Sequence, residues 1–209
     1  MKNVLVINSS LNAEQGNSAK LAKHLAQHLS AKYQSNVHTV NLYAGAISHF
    51  SDAEMQAWMT DAQERSPEQN ALAQISDSYI EQVLAADTIV LGMPMYNFGV
   101  PSTFKAWVDR IAKAGVTFQY TAEGPVGLLK DKKIIVLAAK GGMYQGTPKD
   151  TQTAYLRDVF AFLGLQDVDF VYAEGLAMAG KEESMAGKEE SMAGKEESMA
   201  AAIEQLEEY

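Results

Sequence analysis

The sequence contains no cysteine, which excludes disulfides, thiolate-held metals and thiol nucleophiles. No apolar run approaches the ~18 residues expected of a membrane span. The opening MKNVLVINSS lacks a signal-type apolar region with a small-residue cleavage site and reads as a strand that begins at once. Positive charge is scarce, with 17 Lys and Arg against 26 Asp and Glu and a net charge of −9. No basic stripe of the kind a nucleic acid needs is present. The acidity is local: residues 179–209 hold three lysines and nine glutamates, net −6, leaving −3 for the rest. There is no G-x-G-x-x-G, no G-x-x-x-x-G-K-[ST] and no G-x-S-x-G, so the dinucleotide fingerprint, the P-loop and the serine-hydrolase elbow lose support. His24 and His28 lie four apart on a helical pattern, but no carboxylate completes an HExxH set, and no metal is expected.

What remains is a chain of 209 residues, 47% hydrophobic and 21% charged, suited to one globular domain with a sizeable core and to the cytoplasm. Five short runs rich in Val, Ile and Leu stand out: 3–8, 37–41, 88–93, 133–139 and 167–172. Three are nearly continuous in apolar residues, as strands buried on both faces are. Helical patterns lie between them. Leu21, Leu25 and Leu29 share a stripe over 18–33, and Ser51 with Glu54 forms a capping-box pattern. Pro67 opens a helix with Leu72, Ile75, Tyr79 and Val83 inward. Pro101 opens another with Phe104, Val108 and Ile111 inward, and Thr147-Pro148 begins a fifth that ends near Gly164. Alternating strands and helices give an α/β, doubly wound, five-stranded parallel sheet of order 2-1-3-4-5 with helices on both faces.

In that order the loops after the first and third strands converge at the switch point, with the loop after the fourth beside them. The first loop ends in Gly16, Asn17 and Ser18, opening a helix whose N-terminus suits a phosphate, or a plain cap by Asn17 or Ser18. The second, MPMYNFGVPS over 93–102, places Met95, Tyr96, Asn97 and Phe98 between two prolines. A stiffened aromatic loop at a strand end fits the edge of a flat ring such as an isoalloxazine, or else a hydrophobic plug. The third, Lys140-Gly141-Gly142, allows close backbone approach and can stabilise negative charge on a reduced ring. Asp109 and Arg110 read as a structural pair. No side-chain set for acid–base or nucleophilic catalysis stands out, as expected where a cofactor performs the reaction.

The C-terminus repeats AGKEESM three times, at 179–185, 186–192 and 193–199. Each copy has Lys where a coiled-coil seam needs an apolar residue, and each carries a helix-weakening Gly. A solvated, weakly held helical extension is expected over 179–209, with AAAIEQLEEY docking on a body spanning 1–178.

MPMYNFGVPSTFKAWVDRI and AGVTFQYTAEGPVGLL strongly resemble the FMN-dependent NADH-azoreductases, flavodoxin-like quinone reductases of bacteria, and the likeness runs from Met1 to about Met178. The resemblance implies FMN held by Ser10, by Gly16, Asn17 and Ser18, by Met95 to Phe98, and by Ala139, Lys140, Gly141 and Gly142. It implies a homodimer with the site at the interface. Asn97, Phe98, Tyr120 and, from the partner chain, Phe162 would orient substrate. It implies NADH or NADPH as donor and quinones or azo compounds as small aromatic acceptors, taken in ping-pong fashion. A flavodoxin-type FMN electron carrier that docks a redox partner is the alternative. Relatives often carry a hydroxyl residue and Arg where Ala139 and Lys140 stand, and a His where Tyr144 stands.

Overall fold

The near-continuous apolar runs become the centre of one parallel sheet in the computed structural model, which describes residues 1–43, 47–178 and 185–209, with side chains left out over 185–191. In chain order the elements are β1 (Asn3–Asn8), α1 (Asn17–Tyr33), β2 (Asn36–Asn41), α2 (Asp52–Met59), α3 (Pro67–Ala85), β3 (Thr88–Pro94), α4 (Ser102–Ile111), β4 (Phe118–Thr121), β5 (Gly124–Gly127), β6 (Lys133–Ala139), α5 (Thr151–Leu163), β7 (Asp167–Ala173) and α6 (Met185–Leu206). The parallel sheet runs β2-β1-β3-β6-β7, the expected 2-1-3-4-5 order once the separate β4–β5 hairpin is set aside.

All seven residues of β3 are buried, because helices cover both of its faces. On one face Leu21, Leu25 and Leu29 of α1 join Ala202 and Leu206 of α6 over Val4, Val6, Val90 and Ile135. On the other, Ile80 and Val83 of α3, Phe104 and Trp107 of α4, and Leu156 and Phe160 of α5 cover Leu5, Ile7, Ile89 and Val136. Edge strand β2 has no buried residue. Among the described residues no helix is long and apolar enough to cross a membrane.

Several sequence expectations shift. The last long helix of the body begins at Thr151 rather than at Thr147-Pro148, because Asp150 caps it by accepting from Thr153 N–H at 3.3 Å. Ile75 is 40% exposed, and the inward line of α3 is Ala73, Ser76, Ile80 and Val83. Asp109 and Arg110 do not pair with one another. Asp109 binds Lys105, while Arg110 forms a bidentate, buried pair with Glu54 of α2, Nε to Oε1 at 2.8 Å and Nη2 to Oε2 at 3.0 Å. The capping box on Glu54 is present, so one carboxylate both caps α2 and ties it to α4. The first AGKEESM copy lies almost wholly outside the described residues. The third is half-buried on the body at Ser198 and Met199, so the extension is not solvated throughout. The β4–β5 hairpin had no counterpart in the apolar runs. It is pinned where Gly127 meets the end of α5: a Cβ on Gly127 would stand 2.0 Å from Gly164 N.

Candidate functional site

The carboxyl ends of β1, β3 and β6 deliver three loops to one edge, at the switch between β1 and β3. After β1 the chain makes a short 3-10 turn, Ala13–Gln15, and enters α1 at Asn17 with Gly16 at the cap and no side-chain cap bond. Asn17 and Ser18 are therefore first-turn residues and not caps. The N–H groups of that turn have no helical acceptor and carry the positive end of the helix dipole. Ser18 is 1% exposed and its Oγ has no partner among the described residues. A buried hydroxyl left unmatched is costly unless something else supplies the bond. Gly16 is demanded by Ser10: a Cβ there would lie 2.1 Å from Ser10 Oγ. Free N–H groups, an unmatched hydroxyl and a close backbone approach together fit a phosphate.

The second loop is a two-residue turn. Tyr96 and Gly99 exchange backbone bonds at 3.1 and 2.9 Å, forcing Asn97 to φ 49° and Phe98 to φ 66°. Asn tolerates this left-handed region, whereas Phe pays about 1–2 kcal/mol for it. Neighbours hold the strained turn. Thr151 Oγ1 donates to Phe98 O at 2.5 Å, and buried Gln152 Nε2 donates to Pro94 O at 2.9 Å and Gly99 O at 3.1 Å. Tyr96 hydroxyl accepts from Leu11 N at 3.0 Å, joining this loop to the first. Phe98 is 47% exposed and meets Tyr144 edge-on, ring centroids 5.6 Å apart. The turn thus presents an aromatic ring outward instead of plugging the core.

The third loop grows out of the sheet. Ala139 O accepts from Met95 N at 2.9 Å, and Lys140 N donates to Ala173 O at 2.9 Å, which ties the start of the loop to both neighbouring strands. The Lys140 side chain points away into the body, fully buried, with Nζ 2.7 Å from Asp150 Oδ1 and 3.6 Å from Glu174 Oε1. The Asp150 contact is an ion pair by distance, although it lies off the line of a well-formed hydrogen bond. The ammonium also stands 4.6 Å over the Tyr172 ring. Burial holds the Tyr172 phenol above its ordinary pKa, and the nearby Asp150 and Glu174 add to the rise. Beyond Lys140, the N–H groups of Gly141 and Gly142 find no acceptor among the described residues, while their carbonyls accept from Ala177 N and Gly175 N.

Between the second and third loops lies a cavity of 470 Å³. Met95, Asn97 and Phe98 bound one side, and Gly141, Gly142 and Tyr144 the other. Ala177 and Met178 complete it. A hollow of 490 Å³ lies between α1 and β2 and reaches Glu14 of the first loop, and one of 850 Å³ lies at the opposite ends of the strands. Tyr120 and Phe162 do not line the 470 Å³ cavity. They join through Phe118, centroids 5.3 and 4.4 Å away, into a separate ridge on the hairpin and α5, with Tyr120 75% exposed. The sequence reading marked Tyr144, two residues past the glycine pair, as a departure from the resemblance, and it lines the cavity. It missed Ala177 and Met178 as lining residues, and Thr151, Gln152 and Glu174 as loop supports.

A family model of flavodoxin-like fold matches residues 2–197. An FMN-dependent NADH:quinone oxidoreductase of Alteromonas mediterranea is 53% identical over 184 residues, spanning 88% of this chain and 92% of the relative. One of the same name from Pseudoalteromonas atlantica is 49% identical over 178 residues, 85% and 88% of the two chains. Among solved structures, an azoreductase from Bacillus anthracis str. Sterne superposes with a TM-score of 0.78 at 29% identity, covering 98% of this chain and all of that one. An FMN-dependent NADH-azoreductase from Bacillus anthracis str. Ames Ancestor in complex with FMN gives 0.78 at 26% identity, covering 99% and 100%.

Proposed function

Since the chain belongs to the family of flavodoxin-like fold, with curated relatives near half identity, we propose that it is an FMN-dependent NAD(P)H oxidoreductase reducing quinones to hydroquinones and cleaving aromatic azo compounds. The observation that carries this reading is the buried, unmatched Ser18 hydroxyl at the open start of α1, at the same sheet edge as the cavity bounded by Phe98 and Tyr144. The residues present fit FMN. Ser10, Gly16, Asn17 and Ser18 hold its phosphate. Met95 to Phe98, with the free N–H groups of Gly141 and Gly142, hold its ring.

When bound, FMN supplies two-electron chemistry, accepting a hydride from reduced nicotinamide and passing the pair to an acceptor. The protein supplies position and charge. The Gly141 and Gly142 donors stabilise negative charge that develops on the ring as it is reduced. Asn97 both donates and accepts, and orients the bound substrate. Phe98 gives one aromatic wall. Tyr120, 75% exposed, and half-buried Phe162 flank the buried Phe118 and lie outside this chain's own cavity, which supports a homodimer in which the partner brings both Tyr120 and Phe162. One slot then serves donor and acceptor in turn, so kinetics are ping-pong. An azo bond takes two rounds: the first two electrons and two protons give a hydrazo compound, and a second two electrons and two protons split its N–N bond into two amines. Residues 1–178 form the FMN-binding domain and 179–209 a C-terminal extension, and the enzyme works in the cytoplasm.

Initial rates with NADH and a small quinone test the proposal. Parallel double-reciprocal lines across quinone concentrations are expected. Intersecting lines would refute the shared slot, and NADH left unconsumed would favour an electron carrier.

A further inference from the structure

The loop that carries Gly141, Gly142 and Tyr144 closes its far end on itself, Thr147 N donating to Tyr144 O at 2.9 Å, but its glycine end is held from outside. Past the end of β7, residues 175–177 run alongside it, with Gly175 N donating to Gly142 O at 3.3 Å, Leu176 N to Lys140 O at 3.1 Å and Ala177 N to Gly141 O at 3.0 Å. Glu174 completes this support from its side chain. Its Oε1 accepts from Tyr144 N at 2.9 Å and from Gln145 N at 2.8 Å. Lys140 Nζ stands 3.6 Å from the same oxygen. Glu174 is 8% exposed, and two N–H donors converging on one carboxylate oxygen form a rigid clamp. Its own N–H donates to Ser198 Oγ of α6 at 3.0 Å, so the third AGKEESM copy anchors the residue that anchors the loop.

We propose that Glu174 is a positioning residue: it sets the Gly141–Gln145 loop so that the glycine N–H groups meet the flavin ring and Tyr144 stands against Phe98, with Ser198 of the C-terminal repeat fixing Glu174 in turn. The inference rests on the FMN reading and adds to it a link from the repeat to the site. Hydrogen-bond acceptance, and not negative charge, is what the loop needs. Asp150 lies nearer to Lys140 Nζ than Glu174 does, 2.7 Å against 3.6 Å, so the ammonium has a carboxylate partner besides Glu174. Tyr144 is only partly buried and Gln145 is exposed, so water can satisfy their N–H groups when the clamp is removed. Loss of the clamp therefore loosens the loop without unfolding the body.

The test compares the full chain with Glu174→Ala, Glu174→Gln and Ser198→Ala. FMN is titrated into flavin-stripped protein by fluorescence quenching, and melting temperature and the KM and kcat for a quinone are measured alongside. Glu174→Ala is expected to weaken FMN at least tenfold and to raise quinone KM more than it lowers kcat, with little change in flavin-free melting. Glu174→Gln, whose amide oxygen still accepts both N–H groups, is expected to stay within threefold of the parent. Ser198→Ala is expected to shift the same quantities in the same direction by a smaller factor. Glu174→Gln falling as far as Glu174→Ala, or FMN affinity unchanged in Glu174→Ala, overturns the proposal. Parent protein that takes up no FMN overturns the FMN reading itself.

Discussion

Replacing Gly16 by alanine isolates the phosphate cradle. Gly16 has φ −63° and ψ 141°, a conformation open to any residue, so the backbone itself pays nothing. The penalty is a contact: the new Cβ would lie 2.1 Å from Ser10 Oγ and 2.8 Å from Ser10 Cβ. Turning the hydroxyl aside relieves the first clash but not the second, so the Ser10 segment must move. That breaks the bond from Asn12 N to Ser10 Oγ at 3.2 Å and the 3.5 Å contact with Tyr96 hydroxyl. A hydrogen bond to a charged phosphate is worth about 1.5–3 kcal/mol, and the local bond that orders the loop about 1 kcal/mol. The sum, about 2.5–4 kcal/mol, weakens FMN by roughly 10²- to 10³-fold. Fluorescence titration reads this directly. Ser10→Gly removes the obstructing atoms, so Gly16→Ala should cost little in that background. An FMN affinity within threefold of the parent, or an equal loss with and without Ser10, refutes the reasoning.

Other perturbations test separate parts of the structure. Glu54→Ala strands the buried Arg110 guanidinium, 1% exposed, and should cost about 3–5 kcal/mol, read from the urea midpoint; a loss under 1 kcal/mol would contradict the pairing. Phe98→Gly should be more stable than Phe98→Ala by about 1 kcal/mol, because only glycine adopts positive φ freely; equal melting would deny the strain, whose φ is 66°. Lys133 holds the Asp169 carboxyl below its ordinary pKa, assisted by the Tyr209 hydroxyl at 2.9 Å, against a smaller opposing effect of burial. The native pKa lies below the unfolded one, so this contribution is complete above the ordinary carboxyl pKa of about 4. It is lost as pH falls through the depressed native value. Amide protection at the end of α6 should decline over that acid window, and Asp169→Asn should abolish the pH dependence; a decline that persists in the variant would place its cause elsewhere.

The sheet was legible because β3 and β6 are buried on both faces and so carry unbroken apolar runs, which locate the switch point and its three loops. The hairpin was not, because seven of its eight residues face outward or are half-exposed and leave no period to read. Ile75 misled because its spacing fits a stripe that the small residues Ala73 and Ser76 occupy instead, letting α3 approach its neighbours closely. Lys140 sat in the right loop, but nothing local showed that Asp150 at the far end of that loop and Glu174 on another strand's end would draw its ammonium inward. Gln152 and Glu174 share that limit, since they act on loops more than 25 residues away. The left-handed pair Asn97-Phe98 was half visible, Asn being usual in such a turn and Phe a residue only tertiary support sustains.

Anaerobic mixing of the FMN-loaded protein with NADH tests most directly whether the switch-point cavity exposes a bound ring to a hydride donor. Rapid bleaching of the yellow colour at one NADH per flavin, with colour restored by a quinone, is predicted. Colour that persists with excess NADH contradicts the account.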